Sequence, residues 1–150
     1  MLHTHMPYAT ALSCLRDFEF LMLDQNACRF YDRIAYDRHY SGMALDDAEG
    51  ERVAGLLGDE KSVLFLGNHG VMTAAPTVAQ AWDDLYFLER AAKTQIIAMS
   101  TGRRLALLSP EMTEQVRRQT EHERIELGYI ERHFAAQLRL LDAKDPSYRA

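Results

Sequence analysis

Three observations predict an α/β fold. The run SVLFLGNHGVMT (62–73) is a strongly apolar strand pattern interrupted by a Gly-Asn-His-Gly turn. A second, shorter strand pattern opens the chain at MLHTH, and from Thr77 apolar residues recur at helical spacing through Ser100. The 150 residues suffice for one domain, 1–150, with a sizeable core, and the 47% hydrophobic content argues against general disorder.

In MLHTH, His3 and His5 share one face, because alternate side chains of a strand point the same way. Pro7 suits the first position of a helix, expected over YATALSCLRDFEFL (8–21). The stretch QNACRFYDRIAYDRHYSGMAL (25–45) mixes aromatics, charges and Gly42 without a sustained period, so short strand and turn pieces are expected. Asp46 or Asp47 can cap a short helix through EGERVAGLL (49–57), which Gly58 and Asp59 would stop.

Val63, Leu64, Phe65 and Leu66 form a buried strand, after which Gly67, Asn68 and Gly70 permit a tight turn that can aim His69 at the first histidine pair. Val78, Ala81, Trp82, Leu85, Leu88 or Glu89, Ala92, Ile96 and Met99 then mark the longest helix. Gly102 and Pro110 separate it from a second helical region, 111–141, in which Gly128 disfavours continuity. The tail DAKDPSYRA (142–150) reads as an ordered or semi-ordered arm, and no repeat or linker calls for a second domain.

Composition narrows the function classes. Twenty-two acidic against seventeen basic residues give a formal charge of -5, with no Lys/Arg block to suit a nucleic-acid groove or an anionic membrane. No apolar run approaches a membrane-spanning length. Cys14 and Cys28 form no C-x-x-C pair or disulfide framework, and no secretory signal pattern opens the chain, so a cytoplasmic setting with buried, reduced cysteines is expected.

The chemistry-bearing constellation is His3, His5 and His69. Imidazole suits zinc, and three protein ligands leave a coordination position open, whereas a structural site normally takes four. The alternative for His-x-His is a surface pair without a metal.

Three segments, HTHMPYATAL, LFLGNHGVMTAAPTVAQAWDDLYFLERAAKTQ and RLLDAKDPSYR, resemble the class II aldolase/adducin family, and the resemblance runs over nearly the whole chain. Its specificity lies in H-x-H-x-P-Y-A-T-A combined with N-H-G and the long helix that follows. The resemblance implies an α/β/α layered domain around a largely antiparallel sheet, with His3, His5 and His69 matching the divalent-metal ligands of the enzymatic branch. It implies Zn2+, or Mn2+ as the alternative, and a lyase of aldolase type that cleaves a carbon–carbon bond of a small carbonyl or sugar-derived substrate through a metal-stabilised enediolate. It also implies a homo-oligomer. In the family, the segment before the H-x-H strand carries sheet strands, substrate-binding loops and an acidic catalytic residue. This chain is therefore expected to be N-terminally shortened, with its independent activity in question and its catalytic acid or base unassigned. Asp17 and Glu19 are no replacements, since both fall in the helix expected after the ligands. The adducin branch offers the other reading, a noncatalytic assembly module or a truncated remnant of the family.

Weaker candidates carry structural readings. HERIE (122–126) is not H-E-x-x-H and reads as a solvent-facing charged helix. His39 and His133 read as surface or packing histidines, and Trp82, Tyr86 and Phe87 as core ahead of subunit contact. Tyr8 could line a pocket or pack on the next helix, and Asn68 could bond near the site or stabilise its turn.

Overall fold

The computed structural model describes residues 1–40, 42 and 47–149. Its elements are β1 (Leu2–Thr4), α1 (Pro7–Ser13), α2 (Gln25–Cys28), β2 (Ile34–Asp37), α3 (Asp47–Leu57), β3 (Val63–Leu66), β4 (Gly70–Thr73), α4 (Val78–Ser100), α5 (Pro110–Glu121) and α6 (Tyr129–Lys144). A π-helical turn, His122–Glu126, joins α5 to α6, and a 3-10 turn, Pro146–Arg149, follows α6.

The four strands form one sheet in the order β1-β4-β3-β2. β1 and β3 run antiparallel to β4, and β2 runs parallel to β3, so the sheet is largely antiparallel. Strand alternation sends Val63, Phe65 and Val71 to one face, where they pack with Ala9 and Leu12 of α1 and Leu85, Leu88 and Ala92 of α4. Leu64 and Leu66 point the other way, onto Val53 and Leu57 of α3. Helices thus cover both faces of the sheet, the expected α/β/α layering. Each fully buried leucine, such as Leu12, Leu64 or Leu88, contributes about 1.5–3 kcal/mol by leaving water.

Several expected boundaries are corrected. The helix from Pro7 ends at Ser13 instead of running to residue 21. Beyond it Phe18 and Phe20 are buried while Glu19 between them is exposed, the signature of extended chain. Gln95 of α4 holds that chain: its Oε1 accepts from Leu21 N at 2.8 Å and its Nε2 donates to the Glu19 carbonyl at 2.6 Å. These bonds fix an extended backbone that local propensity does not anticipate, and they remove Asp17 and Glu19 from any helix. In the 25–45 stretch, β2 fits the expected strand pieces, but α2 is helical, capped by Asp24 Oδ1 accepting from Ala27 N at 2.8 Å. Asp47 lies inside α3, and Asp46 falls outside the described residues.

The long helix begins where expected, with Thr77 Oγ1 capping Gln80 N at 3.1 Å. Gly128 breaks the second helical region by taking a left-handed φ of 64° at the start of α6. The tail is ordered through Arg149, whose guanidinium pairs with Asp142 at 2.5 Å. No helix among the described residues is long and apolar enough to cross a membrane.

Candidate metal centre

β1 brings His3 opposite Met72 of β4, on the sheet face away from Val71. The His3 ring still reaches the Val71 carbonyl, with Nδ1 at 3.0 Å. A carbonyl can only accept, so Nδ1 carries the proton, and in the neutral ring the lone pair lies on Nε2. That nitrogen lies 3.1 Å from His5 Nε2.

His69 arrives on the β3–β4 hairpin. Asn68 adopts a left-handed φ of 56°, a conformation that asparagine tolerates better than most side chains. Its backbone N–H donates to the Ser13 carbonyl at the end of α1 at 3.0 Å, while Gly67 N donates to Asp37 O at 2.7 Å. The hairpin tip is therefore tied both to the helix that follows the H-x-H strand and to β2. Gly70 allows the closest approach: a Cβ there would meet Thr4 O at 2.6 Å and His5 Cδ2 at 2.8 Å. The Gly-Asn-His-Gly turn thus has a distinct physical need at each of Asn68 and Gly70.

The three rings come together, with centroids 5.0 Å apart for His3 and His5 and 4.8 Å for each with His69. One ligand nitrogen from each lies within 4.8 Å of the other two. Tetrahedral zinc with ordinary Zn–N bonds needs nitrogens about 3.3 Å apart, so the His3–His5 pair, at 3.1 Å, is already at ligand spacing, and His69, within 4.8 Å, closes the set by moving inward. His3 and His5 are exposed and His69 half-buried, which leaves the open side a catalytic metal requires. Burial, and then the neighbouring His3 and His5, hold His69 below the usual imidazole range, favouring the neutral form that ligates. Together these features fit a divalent ion. Beside the triad lies a cavity of about 270 Å³, walled by His3, His69, Glu49, Val53, Leu66 and Met72.

Glu89 was not foreseen as part of this arrangement. Met6 at the N-cap of α1 has no side-chain cap bond, leaving the helix's first N–H groups without local acceptors. Glu89 of α4 supplies both: Oε1 accepts from Tyr8 N and Oε2 from Ala9 N, each at 2.9 Å. The sequence shows the need, since a helix opening with Met-Pro takes acceptors from elsewhere, but not the residue that meets it. Glu89 thereby anchors the segment that carries His3 and His5.

The remaining candidates have other surroundings. Tyr8 packs against the apolar core with Lys93 Nζ 5.3 Å from its ring centroid. Trp82, Tyr86 and Phe87 are half-buried and pack around His133 of α6. His39 is exposed. In HERIE, His122 and Glu126 are exposed, but the expectation of a solvent-facing helix is corrected at Arg124, which the π-turn buries against Asp83 and Asp84. Cys28 is buried as expected, whereas Cys14 is exposed because α1 ends just before it.

Comparison with known proteins identifies the family. The family described as Class II Aldolase and Adducin N-terminal domain matches residues 1–96. A Caulobacter vibrioides protein named "Putative aldolase class 2 protein" is 34% identical over 149 residues, covering 99% of this chain and 56% of that protein. An adducin-related protein of Schizosaccharomyces pombe is 32% identical over 156 residues, covering 99% of this chain and 46% of its own length. The chain thus spans about half the length of these relatives. A crystal structure of an aldolase II superfamily protein from Pseudomonas syringae superposes with a TM-score of 0.86 at 37% identity, covering 99% of this chain and 58% of that one. An L-fuculose 1-phosphate aldolase from Glaciozyma antarctica shares the fold, with a TM-score of 0.72 at 20% identity over 91% of this chain and 50% of its own. By sequence and by fold, the chain belongs to the class II aldolase and adducin family.

Proposed function

We propose that His3, His5 and His69 hold a divalent metal, Zn2+ before Mn2+, for aldolase-type lyase chemistry on a small carbonyl or sugar-derived substrate. The observation that carries this reading is the convergence of three imidazoles, from β1, the residue just past it and the β3–β4 hairpin, to within 4.8 Å. Bound there, a divalent ion would act as a Lewis acid toward negative charge developing on a carbonyl oxygen. The chain's own residues supply the rest. The Val71 carbonyl fixes the His3 tautomer, Gly70 admits His5, and Asn68 turns His69 inward. Neutral imidazoles leave the ion's charge undiminished, unlike carboxylates. The apolar wall of Val53, Leu66 and Met72 shields one side of the site from water. Assembly as a homo-oligomer in the cytoplasm belongs to the same reading.

The adducin-related relative, matched over 99% of this chain, supports a second reading as a noncatalytic assembly module. Retention of all three histidines favours the lyase. The test is aldehyde release from small hydroxycarbonyl compounds by zinc-loaded protein, beside a His3→Ala/His5→Ala/His69→Ala variant. Release by the parent and none by the variant is expected. Equal release would refute the lyase reading, and none from a parent that has bound zinc would favour the noncatalytic assembly module or truncated remnant.

A further inference from the structure

A second cavity, of about 330 Å³, lies between α2, α4, the π-turn and the start of α6. Its volume falls at the small end of the range for small-molecule pockets. At its base lies a buried ionic cluster. Asp83 Oδ2 meets Arg29 Nη2 at 2.5 Å and Arg124 Nε at 3.3 Å, and Asp83 Oδ1 meets His133 Nδ1 at 2.7 Å. Asp84 meets Arg124 at 2.5 Å and Arg33 at 2.7 Å. Three guanidinium groups therefore share two buried carboxylates, and the further acid on Arg124, Glu121 at 3.1 Å, is half exposed. Arg124 is turned inward by the π-turn, a helix irregularity frequent at functional sites.

The cluster's unmet donor lies on Arg29. Its side chain is 7% exposed, and its Nε is buried without a hydrogen-bond partner among the described residues. A buried donor left unmade is costly, whereas the Arg29 charge itself is met by Asp83 and by the Phe87 ring, whose centroid lies 3.7 Å from the guanidinium carbon. Burial pushes the Arg29 guanidinium down to about 10, with Arg124 and Arg33 repelling it against the pull of Asp83 and Asp84. The rest of the wall is rich in donors: the amides of Gln25 and Asn26, the Tyr129 hydroxyl and the Arg132 guanidinium. Of the acids on the wall, Asp83 has both oxygens committed and Glu123 is exposed to solvent.

We infer that this cavity binds a small oxyanion, a phosphate or carboxylate group, which accepts from the donors that line it beside the Arg29–Asp83–Arg124 cluster. The site is separate from the histidine triad and shares no residue with it. Oxyanion binding here would couple a small acidic metabolite to the docking of α6 on α4, because His133 and Arg124 hold that contact through Asp83.

The test is a titration of the full chain with sodium phosphate, and separately with sodium acetate, at ionic strength held constant with sodium chloride. Amide resonances report the site, and the protein carries His3→Ala/His5→Ala/His69→Ala so that the triad cannot contribute. Saturable shifts at residues 25–29 and 129–133 are expected. Saturation by phosphate alone assigns a phosphate site, and saturation by both anions a general oxyanion site. Arg132→Gln, at an exposed position compatible with folding, should weaken binding about tenfold, the effect of losing one charge-assisted hydrogen bond. Arg29→Lys keeps a cation beside Asp83 and removes Nε, and should weaken binding as well. Shifts that do not saturate, or the same affinity in both variants as in the parent, would overturn the inference.

Discussion

Replacing Gly70 with alanine isolates the close approach that lets β1 and the hairpin share a site. Gly70 does not lie in the left-handed region, so alanine meets no backbone strain and the effect is purely steric. The added Cβ would stand 2.6 Å from the Thr4 carbonyl oxygen and 2.8 Å from His5 Cδ2. An ordinary carbon–oxygen contact of about 3.4 Å requires β1 to retreat by about 0.8 Å. Thr4 O is backbone, and β1 is held in register with β4 at Thr4↔Val71, so no side-chain rotation relieves the clash. The cost expected for such overpacking is about 1–3 kcal/mol. The same retreat shifts His3 and His5 relative to His69 and should weaken zinc binding about tenfold. Urea unfolding of metal-free protein measures the first effect, and zinc titration against a competing chelator the second. Stability within about 0.5 kcal/mol of the parent, together with unchanged zinc affinity, would refute the steric argument.

Other consequences follow from the same contacts. Glu89→Ala removes the acceptors of Tyr8 N and Ala9 N and should cost about 1–3 kcal/mol in urea unfolding, with Glu89→Gln recovering part of it. Asp84→Ala, at a side chain with 0% exposure, leaves Arg33 and Arg124 short of a partner and should cost about 3–5 kcal/mol. Arg149→Ala breaks a pair of similar length but 61% exposed on the arginine, and should leave the urea midpoint close to the parent's. Because His69 is held below its ordinary value, the folded chain resists protonation there. Its contribution is complete above the unfolded imidazole value of 6.5 and is lost as pH falls through the depressed folded value. Metal-free stability measured across that window should therefore decline toward acid, and His69→Ala should flatten the decline.

The parts of this fold written in local sequence were the easiest to read. Val63 to Leu66 and the helix after Thr77 carry their own periodicity and caps, and both stand where the pattern places them. The histidine triad was legible because alternation on β1 and the turn chemistry of Asn68 and Gly70 are local properties. What escaped was set by distant partners. Phe18 to Leu21 follow a plausible helical start, yet Gln95, more than seventy residues later, holds them extended. Arg124 reads as one more charge on a polar helix, and only Asp83 and Asp84 on α4 reveal why it turns inward. Glu89 shows the same dependence, since a helical wheel gives no hint that its carboxylate caps α1.

The central claim, that three histidines converge on one metal, is tested most directly by metal content per chain. The measurement uses freshly purified, size-resolved protein after zinc addition, with circular dichroism confirming the fold. The account predicts about one tightly held ion per chain in the parent and none in the His3→Ala/His5→Ala/His69→Ala variant. A folded parent that retains no zinc or manganese, or a variant that retains as much as the parent, would contradict it.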